Sequence, residues 1–505
     1  MDTIPEAQRE AARMLEREAG GEPHQTHISA VFVGPHTAWK MKKAVKLSFL
    51  DFSSLEARRH FLERERDLNR RTAPEIYGEV LGLVRVAERG LAFAPLGEER
   101  GVEEWVLVMR AIPAEDFLDA IASRGAFTAL LAERVADAVA EFHETLPPLP
   151  RPSQSEALAA VIAGNIEAAA AAGLDPRGYG ALAAAAEAEL ERRAARLDER
   201  ARAGLVRRAH GDLHLSNICR FEGEVRLIDA LEFDEALATI DLGYDLAFLL
   251  MDLEVRTGRA LANRALNRYL TRRLDFGLCA GLSLFLGLRA MVLTHVEAKR
   301  GHAAMAASYA AYAKQILAPL PQPRLIAIGG LSGSGKSTLA RALAPLFPGG
   351  LGAVVLSSDA LRKARAGLLP EERLGAEAYT PEAGRALYAF LREKAAEVLA
   401  AGHSVIIDAT FQDAAEREAV AASAAACGVP FSGLWLTASR DRLEQRLRGR
   451  GRDASEATLD VLARQWERGP HEAPLGWKEI SARTTLAALA EASAHLGLPA
   501  SPALG

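Results

Sequence analysis

Two clusters of residues in this 505-residue chain have the types and spacing that phosphoryl-transfer chemistry needs. The first is HGDLHLSN, from His210 to Asn217. Asp212 is suited to accept or orient the proton of an attacking hydroxyl. Asn217 would give an amide oxygen to a divalent cation. Asp229, at the end of the strand-like run VRLID, would bind the second face of that cation. His210 reads as a structural brace rather than a base. The second cluster is GLSGSGKST, from Gly330 to Thr338. Gly330, Ser332, Gly333, Ser334 and Gly335 give a loop whose backbone N–H groups can close around phosphate oxygens, and Lys336, Ser337 and Thr338 open a helix whose dipole favours the same anion. Lys336 would neutralise the β- and γ-phosphates during transfer, and Ser337 would ligate Mg²⁺.

Further acids and bases fall at the ends of predicted strands. Asp408 ends the run SVIID and fits a carboxylate that holds Mg²⁺ through water. Asp359 ends VVLSSD and is followed by Arg362. Ligands of open α/β sheets bind at the carboxyl ends of the strands, so both acids would face a site. Asp359 also suits a helix N-cap. The segment RLRGRGRDAS carries Arg446, Arg448, Arg450 and Arg452. Arg450 and Arg452 are assigned to a mobile lid that stabilises charge on the transferring group. The alternative for any one arginine is a solvated basic helix face.

The elements that must position these residues change character along the chain. Residues 26–49 read as short strands, with Pro35-His36 as a hairpin-like break. Residues 53–71 have helical spacing, with Ser54 as a cap. More strand is predicted over 76–86 and 105–109, then helices over about 127–146, 155–172 and 179–202. Strands first and helices after describe an α+β, two-lobed unit. LAPLPQPRL, Leu317 to Leu325, holds three prolines and reads as a linker. Beyond it LIAIGG, AVVLSS, SVIIDAT and GLWLT each precede a helical stretch, which argues for an α/β domain on a parallel sheet. The expected domains are 1–318 and 324–505.

Bulk properties exclude other classes. The net charge of -5 gives no global basic field for nucleic acid, though a local basic patch stays open. Cys219, Cys279 and Cys427 are too scattered for a disulfide framework or a metal cluster. The charged N-terminus lacks an apolar signal core. The longest apolar run, Phe276 to Leu288, is short for a membrane span and is expected as a buried core helix. The expectation is a cytoplasmic protein.

The first cluster, HGDLHLSN with the metal-type Asp229, resembles the aminoglycoside phosphotransferase and choline kinase-like superfamily over about residues 25–315. That resemblance implies that Lys40 in AWKMKK anchors ATP, with Lys42 as the rival. It makes Glu65 the helix partner, with Glu63 as the rival. WVLVMRAIP resembles a hinge around Met109, and Asp241 and Asp245 resemble a region packed under the catalytic loop. The loop Val33 to Thr37 has one glycine and departs from a glycine-rich phosphate cover. Residues 324–490 resemble small P-loop kinases of the gluconate kinase, zeta-toxin and polynucleotide 5′-kinase types. There the resemblance implies that Asp359 contacts the acceptor hydroxyl and that Arg362 contacts substrate. The combination resembles bacterial bifunctional aminoglycoside phosphotransferase/ATP-binding proteins. It implies two transfers of the γ-phosphoryl group of ATP, with Mg²⁺, to a small-molecule or nucleotide hydroxyl. Alternatives are a P-loop kinase regulated by a weak N-terminal module, or an ATP-hydrolysing switch.

Overall fold

In the computed structural model, residues 3–47, 50–87, 90–95, 97, 100–149, 153–449, 455 and 457–499 are described. They cluster into two compact units. One holds the chain up to Phe127 with Glu141–Leu149 and Val206–Asp245; the other holds Thr128–Ala140, Pro150–Leu205 and the chain from Leu246 onward.

The first unit is built on a six-stranded sheet. Its strands are β1 (His24–Gln25), β2 (Ser29–Val33), β3 (Thr37–Lys42), β4 (Tyr77–Val86), β5 (Gly90–Phe93) and β6 (Val102–Arg110). Their order is β1-β2-β3-β6-β4-β5, and every pairing is antiparallel. One face packs on helix α1 (Arg9–Ala19), which buries Ala11, Ala12, Met14 and Leu15 against Phe32, Met41 and Val106. The N-terminal segment is thus an amphipathic core helix, a role that its many charges conceal. The other face packs on α2 (Leu55–Asn69), whose Leu62 joins Ile76, Trp105, Leu107 and Ile228. Full burial of a leucine contributes about 1.5–3 kcal/mol. Ser54 caps α2 by accepting the Ala57 N–H at 3.1 Å. Beyond the sheet lie β7 (Val206–Arg208) and the hairpin β8 (Ile218–Phe221) with β9 (Glu224–Leu227); β10 (Thr239–Asp241) pairs with β7. HGDLHLSN occupies the segment between β7 and β8.

Helix α3 (Ala129–Thr145) follows the sheet in sequence. The second unit includes α4 (Ser155–Ala171), α5 (Pro176–Arg202), α7 (Arg259–Arg273), α8 (Leu282–Lys299) and α9 (Ala303–Ile316); α6 (Leu242–Thr257) precedes α7. The apolar run at 276–288 forms a 3₁₀ turn and the first turns of α8, which is buried on nearly all sides. Among the described residues no helix is long and apolar enough to cross a membrane.

The same unit contains a five-stranded parallel sheet of β11 (Leu325–Gly330), β12 (Val354–Ser357), β13 (Val405–Asp408), β14 (Phe431–Thr437) and β15 (Trp477–Ser481), in the order β12-β13-β11-β14-β15. Helices α10 (Lys336–Leu343), α11 (Ser358–Arg365), α12 (Pro381–Ala400), α13 (Ala414–Ala426), α14 (Arg440–Arg448), α15 (Leu459–Arg468) and α16 (Thr485–Leu496) complete it. Four of these strands follow the apolar runs of the sequence. The fifth, β15, is an edge strand with mostly polar residues, so its sequence WKEIS carries no strand signal beyond Trp477 and Ile480. The chain is therefore an α+β region on an antiparallel sheet followed by an α/β domain on a parallel one.

Candidate active sites

The site in the first unit is assembled from four separate segments. Gly211 takes a positive φ of 85°, which turns the chain sharply before Asp212. Asp245, in the first turn of α6, accepts the N–H groups of His210 at 3.1 Å and Gly211 at 2.8 Å, and it also meets His143 Nε2 at 3.1 Å. Asp241 accepts the Gly243 N–H at 2.7 Å and so caps the start of α6. Both acids are buried and serve the loop's frame. His210 Nδ1 lies 3.3 Å from the Asp212 N–H, and its Nε2 lies 2.9 Å from the Ile228 carbonyl. Only the neutral tautomer with the proton on Nε2 satisfies both partners. Burial also pushes the His210 pKa down, which agrees with a neutral brace.

Asn217 Nδ2 donates to the carbonyl and to the Oδ2 of Asp212, both at 2.9 Å. The Asn217 carbonyl accepts the Ile228 N–H at 2.9 Å, which sets Asp229 beside the loop. Asp229 itself has φ 58°, a left-handed conformation, and its N–H donates to the Tyr77 hydroxyl at 3.0 Å. Asp212, Asn217 and Asp229 are therefore brought together.

Lys40 and Lys42, both on β3, share one carboxylate. Glu65 Oε1 meets Lys40 Nζ at 2.6 Å and Glu65 Oε2 meets Lys42 Nζ at 2.6 Å. Glu65 is 0% exposed, whereas Glu63 points away and pairs with Arg59 at 2.9 Å. Lys40 also reaches Asp229 Oδ1 at 2.7 Å, and Lys42 also contacts Glu232. Burial works against the Lys40 charge, but Asp229, Glu65 and Glu232 outweigh it and hold its pKa well above the usual lysine value. Burial likewise pushes Asp229 up, and Lys40 more than reverses this, so its carboxyl stays below the ordinary value. Glu232 and Tyr77 were not singled out in the sequence. Glu232 sits three residues beyond Asp229, which is the one signal that pointed to it. Met109 lies next to last in β6, opposite Ala38 and Tyr77, and the strand ends at Arg110. The β2–β3 turn is closed by Gly34 N–H to the Thr37 carbonyl at 2.8 Å, a tight hairpin rather than a long strap.

The site in the second unit is built from backbone. Gly330, Gly333 and Gly335 have φ of 133°, 82° and 97°. A Cβ on Gly330 would stand 2.7 Å from the Leu436 carbonyl, and one on Gly333 would stand 3.1 Å from the Leu443 carbonyl. The loop is thus a cradle that side chains would close. Ser332 and Ser334 line it, with the buried Ser334 hydroxyl aimed into the turn, and Lys336, Ser337 and Thr338 open α10. Lys336 Nζ meets the Leu331 carbonyl at 3.1 Å. Asp408 ends β13. Burial raises its pKa, while Lys336 and a hydrogen bond from Ser337 oppose that rise. Glycine cradle, lysine, hydroxyl and carboxylate together fit a metal-bound nucleotide.

Asp359 lies in the first turn of α11 behind the cap residue Ser357, so it is free of the capping role. It shares a cavity of about 930 Å³ with Lys336, Asp408 and Arg362. Arg362 donates to the Ala378 carbonyl at 2.5 Å and lies over the Tyr379 ring at 5.0 Å. Three contacts around the loop were not foreseen. Gln465 Oε1 accepts the Ser332 N–H at 2.9 Å. Gln412 donates to the Gln465 carbonyl at 2.8 Å. Arg446 donates to the Ser334 carbonyl at 3.1 Å and to that of Ala482 at 2.6 Å. Arg448 pairs with Glu444 at 3.3 Å on the helix surface. Arg450 and Arg452 lie outside the described residues.

Two parts of the chain match known families. Residues 53–280 match the model of the phosphotransferase enzyme family, and residues 325–469 match that of an AAA domain. An uncharacterised protein of Mycobacterium tuberculosis is 29% identical over 472 residues, covering 87% of this chain and 88% of its own length, and one of Mycobacterium bovis matches equally. Among solved structures, choline kinase from Cryptosporidium parvum is 14% identical and covers 58% of this chain and 88% of its own, with a TM-score of 0.39. A gluconokinase from Sinorhizobium meliloti is 21% identical and covers 35% and 97%, with a TM-score of 0.25. The chain thus joins a region similar to the phosphotransferase enzyme family to one similar to an AAA domain.

Proposed function

We propose that the protein is an ATP-dependent phosphotransferase with two sites, each moving the γ-phosphoryl group to a hydroxyl of a small molecule or nucleotide. The modules are residues 1–318 and 324–505. The observation that carries the reading is the Ser337–Asp408 pair, set before the glycine cradle in one cavity with Asp359. Mg²⁺ bound there would neutralise the phosphate oxygens. Lys336 would offset the β/γ-phosphate charge, and Ser337 and Asp408 would hold the metal. Arg362 orients the acceptor, and Asp359 takes the hydroxyl proton. The acceptor oxygen forms a new bond to phosphorus, the bond to the bridging oxygen breaks, and ADP leaves with that electron pair.

In the first region Lys40 holds phosphates under the control of Glu65. Asp212 accepts the acceptor proton, and Asn217 and Asp229 serve the metal. The small closed turn at Gly34–Thr37 favours a second reading, in which this region binds nucleotide but transfers slowly and regulates the P-loop site. ATP as donor and cysteines that are all free suit a cytoplasmic setting.

The test is a γ-labelled ATP screen over sugars, nucleosides, aminoglycosides and 5′-hydroxyl oligonucleotides, with the full chain and its Lys336→Ala and Asp212→Ala variants. Each variant should remove one distinct product. Both variants turning over like the wild type would sink the proposal. A single product that depends on Lys336 alone would select the regulatory reading.

A further inference from the structure

Helix α7 carries Asn263, Arg264, Asn267 and Arg268, two adjacent pairs at i, i+4 spacing that form one polar stripe. Asn267 meets β12, the edge strand of the parallel sheet, and Asn263 meets the segment that leads into it. An edge strand leaves a row of N–H and C=O groups without a strand partner. Here two asparagine side chains stand in for that partner. Asn267 Oδ1 accepts the Val355 N–H at 2.7 Å. Asn263 Nδ2 donates to the carbonyls of Leu351 at 2.9 Å and Ala353 at 3.0 Å. Asn267 Nδ2 donates back to the Asn263 backbone carbonyl at 3.0 Å and to Asn263 Oδ1 at 3.1 Å, which fixes both amides in the needed orientation. Asn263 is buried, so these bonds are shielded from water.

Beside Asn267, Arg268 forks between two carboxylates. Its Nε and Nη2 meet the two oxygens of Asp137 at 2.7 and 2.8 Å, and its Nη1 and Nη2 meet those of Glu371 at 2.9 and 3.1 Å. Glu371 follows α11 in sequence and Val355 precedes it. The stripe therefore brackets α11, the helix of Asp359 and Arg362. Yet α7 lies within residues 53–280, the phosphotransferase-family match, and not within the P-loop match.

We infer that α7 is a positioning element of the P-loop site: Asn263, Asn267 and Arg268 fix β12 and the segment after α11, and so hold Asp359 and Arg362 where the acceptor is met. The inference rests on the acceptor-side reading of those two residues. The phosphate loop hangs from β11, two strands in from β12, so the stripe acts on the acceptor side selectively.

The test uses the full chain with Asn267→Ala, Asn267→Asp and Arg268→Gln. Amide hydrogen exchange over 354–362 should speed up about tenfold in Asn267→Ala, the scale of one lost buried hydrogen bond. Asn267→Asp keeps an acceptor for the Val355 N–H and should restore most of the protection. Affinity for a fluorescent ADP analogue at the P-loop should change less than about twofold in all three, because no phosphate contact is removed. With an acceptor from the labelled-ATP screen, kcat/KM for that acceptor should fall about tenfold in Asn267→Ala and Arg268→Gln. Unchanged exchange over 354–362, or equal loss of protection over 325–336, overturns the inference. So does an acceptor kcat/KM that stays at the wild-type value in both variants. If no acceptor is phosphorylated, the kinase reading fails by itself, and the exchange pattern still decides whether α7 holds α11.

Discussion

The two candidate sites solve one electrostatic problem in opposite ways. In the P-loop site, one short loop with positive φ at Gly330, Gly333 and Gly335 forms the cradle, and the protein contributes mostly backbone. In the HGD site, side chains from β3, α2 and the segment at 229–232 meet beside the loop at 210–217 in a largely buried network of two lysines and three carboxylates. A backbone cradle is local and needs only glycines that can adopt positive φ. A side-chain network is non-local, and each member is costly to bury until its partner arrives. The first design is rigid by construction, while the second depends on every strand and helix holding its place.

The sharpest way to break this comparison is to remove the central charge of each site. Lys336→Ala and Asp212→Ala should each cut one activity about 10³-fold and leave the other, as read by separate product assays. Cross-talk between the losses would mean that the sites are not separate. The next largest effect should come from Lys42→Met. It strands Glu232 in a buried position and should destabilise the first unit by roughly 3–5 kcal/mol in denaturant unfolding. Adding Glu232→Gln should recover much of that loss. An unchanged midpoint in Lys42→Met would show that the network is not the frame of its site.

Acid pH should separate the sites. The Asp408 carboxyl is raised by burial, so it gains its proton first as pH falls. The Asp229 carboxyl is held low by Lys40, so it stays charged further into acid. Metal-dependent activity at the P-loop site should therefore decline at a higher pH than activity at the HGD site. The reverse order of the two acid limbs in pH–rate profiles would contradict this assignment. The smallest change expected is for Gln465→Ala. It removes the acceptor of the Ser332 N–H and should weaken nucleotide binding by about 3- to 10-fold in a fluorescence titration, the scale of one hydrogen bond.

The same contrast explains what could be read from the residues alone. The glycine loop is contiguous, so its spacing exposed it at once, and the apolar strands around it followed. HGDLHLSN was equally visible. The choice between Lys40 and Lys42 had no unique answer, because alternation puts both on one face and Glu65 receives both. Glu232 had only its nearness to Asp229 to mark it, because its partners are distant in sequence. Helix α1 and strand β15 were missed because their exposed charges dominate their composition, although a few apolar residues do the packing. The asparagine stripe of α7 carries no signal of its own in the sequence. Only tertiary structure shows that it meets a strand edge.

His210 offers a use of its own. Its imidazole is 1% exposed and holds one proton between its own ring and the Ile228 carbonyl, while its other nitrogen faces the Asp212 amide. Such a ring is a resident spectroscopic probe. Its nitrogen resonances report a single tautomer, and its proton is sheltered from solvent while the loop stays closed. A loop that opens during turnover would announce itself there, as line broadening at one histidine, with no label attached to the protein.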